Sequence, residues 1–183
     1  MASTQWTLGP DGGELTLHTG VTGRAAKMGH RLTIAMMQWT VTVGWSDREA
    51  VSASLVVAVD SLDVQRGEGG IKPLSGAEKA MVRSNALKSL GAKKFPEIRF
   101  HATSIERTDS GYRLTGSLQI HGESRDQVVD VTVDESDGDW VLSADALVRQ
   151  TSFGIKPYSQ MMGALQVVDE VTVSYRGRYT PAG

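Results

Sequence analysis

The fold is decided by residues 95–122. They read Phe95-Pro96-Glu97-Ile98-Arg99-Phe100-His101-Ala102-Thr103-Ser104-Ile105, then a break, then Tyr112-Arg113-Leu114-Thr115-Gly116-Ser117-Leu118-Gln119-Ile120-His121-Gly122. Both halves alternate. Ile98, Phe100 and Ala102 share one face, against Arg99, His101 and Thr103 on the other. Tyr112, Leu114, Gly116, Leu118 and Ile120 oppose Arg113, Thr115, Ser117, Gln119 and His121. A period of two with one apolar face marks a half-buried strand. Arg107-Thr108-Asp109-Ser110-Gly111 is a turn cluster, so the stretch predicts a hairpin. Its apolar face must be covered, by a second sheet or by the inside of a barrel.

Working outward, the alternation recurs. Glu14–Gly20 is the first strand candidate, and residues 1–13, with Gly9-Pro10-Asp11-Gly12-Gly13, read as a flexible arm. Leu32, Ile34 and Met36 share one parity, and Trp39, Val41, Val43 and Trp45 the other. The parity flips at Met37-Gln38, as a bulge or bend demands. Val51–Leu62, Gln127–Val133, Trp140–Ala146 and Val167–Tyr179 complete the set. Such regularly spaced strands predict one all-β antiparallel barrel, a single domain over residues 14–180.

Residues 66–94 do not alternate. Gly67-Glu68-Gly69-Gly70 reads as a flexible loop, and Pro73–Leu87 as a short helical excursion. Ser75 with Glu78 three residues on has capping-box spacing, Gly91 is a stop signal, and Leu74, Met81, Leu87 and Leu90 form an apolar stripe. Gly23–His30 predicts a short helical turn at one barrel end. Phe153–Leu165, rich in Gly, Pro, Tyr and Met, reads as a lid or rim.

Four segments carry a resemblance: the strand Phe95-Pro96-Glu97-Ile98-Arg99-Phe100, the strand Gly116-Ser117-Leu118-Gln119-Ile120-His121-Gly122, the late Arg149-Gln150-Thr151-Ser152-Phe153-Gly154-Ile155, and the closing Val168-Asp169-Glu170-Val171-Thr172-Val173. In this order and at this spacing they resemble the YceI family over roughly residues 14–179. The resemblance implies an extended, eight-stranded antiparallel, lipocalin-like barrel that binds long amphiphiles, above all polyisoprenoids. It places Phe153 and Ile155 beside the cavity, and members of the family often pair, so a homodimer is compatible with it. Many relatives carry a "G-x-F" segment where this chain has Gly29-His30-Arg31-Leu32.

Bulk properties narrow the function. With 183 residues the chain can bury a real core, and its net charge of −2 supplies no basic surplus for nucleic acid. The absence of cysteine removes disulfides and thiolate chemistry. The first residues lack a basic segment followed by an apolar run, and no stretch reaches transmembrane length, so a cytoplasmic protein is expected. No hydrolase elbow, P-loop, zinc-helix or dinucleotide motif occurs. His18, His30, His101 and His121 have no metal-ligand spacing, so neither metal nor cofactor is expected.

The apolar inventory then carries the argument. Leu17, Met28, Leu32, Ile34, Met36, Trp39, Leu55, Met81, Phe100, Leu118, Phe153, Ile155, Met161 and Met162 are candidate ligand contacts, with His30 and Tyr158 as polar contacts at the rim. Ala53, Ala102, Gly116, Ala144 and Ala146, on inward parities, would leave volume for a ligand. Seven methionines suit a site that adapts to a long chain. Arg149 is expected to pair with a carboxylate inside the sheet. The reading is non-covalent binding of a polyisoprenoid, fatty acid or similar amphiphile. The alternatives are a cofactor-free enzyme or intermediate chaperone using the same cavity, and an interaction module with a filled barrel.

Overall fold

A computed structural model describes residues 3–181. The strands are β1 (Ser3–Leu8), β2 (Gly13–His18), β3 (Val21–Thr22), β4 (His30–Met36), β5 (Trp39–Ser46), β6 (Glu49–Ala58) and β7 (Leu62–Gly69). Helix α1 (Gly76–Ser89) follows. Then come β8 (Glu97–Arg107), β9 (Gly111–Ile120), β10 (Glu123–Ser136), β11 (Asp139–Arg149), β12 (Ser159–Gln160), β13 (Leu165–Val167) and β14 (Glu170–Tyr179). The predicted hairpin is β8–β9, with Phe100 opposite Leu118 and one bulge between Ala102 and Ser104.

Eleven strands form one antiparallel sheet in the order β1-β5-β6-β8-β9-β10-β11-β14-β2-β4-β7. Six of them are halves of three long bent strands: β1 with β2, β4 with β5, and β6 with β7. The pairing runs on across each bend, so β1–β2 lies along β5–β4, and β5–β4 along β6–β7. Counted as long strands the ring has eight members, closed by β14 against β2. The expected bend at Met37-Gln38 is where β4 becomes β5, and Met37 N donates to the Ser61 carbonyl there at 3.1 Å. A three-stranded sheet, β12-β13-β3, sits at one end.

Two expectations of the sequence are corrected. Residues 3–8 are not a loose arm but strand β1, which turns Trp6 and Leu8 to the interior. Gly67–Gly69 is not a loop but the end of β7, paired with His30–Leu32 of β4. Glycine is required there: a Cβ at Gly67 would stand 2.7 Å from Leu74 Cδ1 and 2.9 Å from His30 Cβ.

The ends of the barrel differ. At one, Trp6 stacks on Tyr179 with ring centroids 3.8 Å apart and meets Trp45 and Trp140 at 4.4 and 5.1 Å. Trp45 adds edge contacts to Trp140 and Tyr112, so five rings close this end. At the other lies α1. Its capping box is formed: Ser75 Oγ accepts from Glu78 N at 3.2 Å, and Glu78 Oε2 from Ser75 N at 2.8 Å. Gly91 follows its C-terminus at φ +61°. Arg83 ties the helix to the β6–β7 bend through the Leu62 and Asp60 carbonyls, at 2.8 and 2.5 Å. No helix among the described residues is long and apolar enough to cross a membrane.

Candidate ligand cavity

Between the aromatic floor and the helix the barrel is not filled. It holds a cavity of about 570 Å³ with an overwhelmingly apolar wall, within the range of roughly 300–1,000 Å³ typical of small-molecule sites. The volume follows from side-chain size. Inward positions of β11 are Leu142, Ala144, Ala146 and Val148, and those of β14 are Val171, Val173 and Tyr175. Alanines and valines on a ring of this circumference do not meet across the axis.

Twelve of the sixteen candidate contacts line this cavity. Leu17, Leu32, Ile34 and Met36 come from β2 and β4, Leu55 from β6, Phe100 and Leu118 from the central hairpin, and Ile155 from the loop after β11. Met28, Met81, His30 and Tyr158 stand at its mouth, and Ala53, Ala144 and Ala146 add open wall.

The other four lie elsewhere. Trp39 points inward but is sunk behind the wall, its ring edge-on to Tyr175 at 5.5 Å. Phe153 is buried in a core cluster with Phe100, Leu118, Ile120 and Ile155 and is not among the lining residues. Met161 and Met162 occupy left-handed backbone, φ +54° and +57°, which turns both side chains outward; Met162 is fully exposed. Ala102 and Gly116 also open no volume, because β8 and β9 meet tightly there: a Cβ on Gly116 would stand 2.2 Å from the His101 carbonyl oxygen. Arg149 is a surface residue, paired with Glu170 at 3.1 Å rather than with any buried carboxylate.

Sequence reasoning placed the helix and counted Leu90 in its apolar stripe, but passed over Val82 and Ala86. Val82 and Ala86 of α1 and Leu90 just beyond its end, with the polar Glu78, Asn85 and Ser89, cover the mouth. Their spacing places them on one helical face, a signal that an even mixture of polar and apolar residues conceals.

The polar chemistry is sparse and mostly spoken for. His30 Nε2 donates to the Lys72 carbonyl at 2.7 Å, fixing the loop that leads to α1. Glu78 is held below the usual carboxylate range, first by the Ser75 N–H of its capping box and further by Lys72. Tyr158 Oη accepts from Gln160 Nε2 at 2.9 Å. Among the described lining residues none is Lys or Arg. Deeper in, the ring of Tyr175 faces the cavity while its Oη, beside Gly177, has no hydrogen-bond partner among the described residues. Burial pushes that phenol up to about 12.

No curated protein matches the chain. Among solved structures, BcnA of Burkholderia cenocepacia superposes with a TM-score of 0.69 at 18% identity, covering 92% of this chain and 96% of that one. The YCEI protein of Campylobacter jejuni gives 0.61 at 15% identity, covering 82% and 85%. At these identities the likeness is one of fold. The family model of the YceI-like domain spans residues 6–178, nearly the whole chain, and the protein belongs to that family.

Proposed function

We propose that the barrel binds, reversibly and without covalent chemistry, one amphiphile whose apolar chain runs from the mouth toward the aromatic floor. A polyisoprenoid or a similar long-chain lipid fits this description. The observation that carries the reading is the cavity itself, apolar along its length and closed at one end. Each methylene moved from water into such a space contributes about 0.8 kcal/mol, so a long chain needs few polar contacts.

The lining also favours a class of head group. Asn85, Ser89 and Gln166 offer uncharged hydrogen-bonding groups near the mouth; the carboxylate of Glu78 is already paired with Lys72 at 3.7 Å, and no Lys or Arg is among the described lining residues. A carboxylate or phosphate drawn inside would lose hydration without gaining a counter-charge. An alcohol, ketone or ester head fits better than a free fatty acid.

Titration with prenyl alcohols of increasing length, read by tryptophan fluorescence, tests this. Affinity is expected to rise by up to about fourfold per added methylene until the cavity is full, with carboxylates of equal length binding more weakly. A folded protein that binds none of the series would overturn the reading.

A further inference from the structure

We propose that the mouth of the barrel docks on a lipid surface carrying anionic head groups. Two independent distributions point there. The first is apolar. Ten large hydrophobic side chains of the described residues are exposed, and six of them, Met28, Ile71, Met81, Tyr158, Met161 and Met162, belong to the mouth. Met28, Met81 and Tyr158 line the opening itself. Ile71 sits between Gly70, against the His30 ring, and Lys72, whose carbonyl His30 holds. Met161 and Met162 sit between Gln160, a lining residue, and Ala164, whose carbonyl accepts from Ala25 N at 2.8 Å. The other four exposed apolar residues are scattered: Met37 at a bend, Val51 on β6, Val128 on β10 and Leu147 on β11.

The second distribution is charge. The three segments that build the mouth, residues 20–32, 66–81 and 150–168, carry seven Lys and Arg against two Glu. Chain totals are 19 and 21, so the remainder carries 12 and 19. A nearly neutral protein is thus polarised, basic around its opening and acidic elsewhere. Arg24, Lys27 and Lys156 are exposed, and among the described residues they have no acidic partner within ion-pair distance.

Protruding apolar side chains set among cations are the chemistry of interfacial membrane binding: the apolar groups enter the acyl boundary while the cations meet anionic head groups. The surface is continuous with the cavity, so a ligand too apolar for water would pass from bilayer to barrel without crossing solvent. That purpose rests on the cavity reading, but the docking itself is measured separately.

The test is co-sedimentation with vesicles of phosphatidylcholine containing one part in three phosphatidylglycerol, against pure phosphatidylcholine. The protein is expected to pellet with the anionic vesicles, and less so as salt rises. Met162→Asp, and separately Lys27→Glu with Lys156→Glu, should lower the bound fraction at least fivefold. Leu147→Asp, at an exposed apolar position on the barrel wall, should bind as the wild type does. The proposal is overturned if the wild type stays in the supernatant, if it pellets equally on neutral vesicles, or if Leu147→Asp loses as much. It is also overturned if the mouth residues instead pair two copies of the chain. Prenyl alcohol affinity of the Lys27→Glu/Lys156→Glu protein is measured alongside. Vesicle binding without any uptake of the alcohol would leave docking standing and remove the cavity reading.

Discussion

The walls of the closed and open ends of this barrel are built from the same strands, and along those strands the size and chemistry of the inward side chains separate them. On β11, Trp140 belongs to the floor, whereas Ala144 and Ala146 a few residues along face empty space. On β5, Trp45 packs against three rings while Val41 and Val43 line the cavity. Alternation tells a strand which face to bury, but volume decides whether that face becomes core or site. The floor should therefore hold stability, and the upper barrel should tolerate change in stability while losing binding.

The sharpest way to break that contrast is Trp45→Ala. Removing a buried indole with three aromatic neighbours should cost about 3–5 kcal/mol, read from urea unfolding. A loss below about 1 kcal/mol would mean that the floor is not the stabilising half. Next in effect is Ala146→Phe, which puts a ring into the cavity. Affinity for a long prenyl alcohol should fall at least tenfold while the unfolding midpoint stays or rises. A fall in stability as large as that of Trp45→Ala would show that the upper barrel is packed core after all.

Tyr175→Phe probes the boundary between the two regions. It removes a hydroxyl that has no partner among the described residues, so at neutral pH it should stabilise by about 1 kcal/mol. It also changes the alkaline behaviour. Burial disfavours the phenolate and pushes the folded-state phenol up to about 12, above the ordinary tyrosine value of about 10. Between those values the unfolded chain has released a proton that the folded one keeps. Stability that is fully present below pH 10 is therefore lost as pH rises toward 12, and the variant should lack this part of the loss. Melting temperatures of both proteins across that window supply the check. Most local of the four is Ser75→Ala, which opens the capping box of the lid at a cost of about 1 kcal/mol. Faster hydrogen exchange confined to the first turn of α1 is expected, with the barrel amides unchanged.

Local signals in the sequence account for much of this architecture. The central hairpin, the parity flip at Met37-Gln38, and the Ser75–Glu78 cap each announce themselves within a few residues. What escaped reading lacks such signals. Strand β1 offers only Trp6 and Leu8 before Gly9-Pro10, too short a run for a period to register. A turn at Val59–Ser61 cuts the alternation of β6 from that of β7, whose end is rich in glycine. Met161 and Met162 look like ligand contacts by composition, and only the left-handed backbone sends them outward. Phe153 reads as lining from its apolar character and from the resemblance, but its depth is set by the core cluster it joins with Phe100, Leu118, Ile120 and Ile155. The meeting of Trp6, Trp45, Trp140 and Tyr179 joins four strands far apart in sequence, which no periodicity can foresee.

Whether the barrel holds an amphiphile is read from native and denaturing mass spectrometry of protein purified without detergent. A single apolar molecule held by the folded chain and released on denaturation is expected, or, where the protein is isolated empty, one-to-one uptake from a mixture of prenyl alcohols. A chain that stays at its bare mass after that incubation, while its unfolding curve shows it to be folded, would mean that the cavity is not a ligand site.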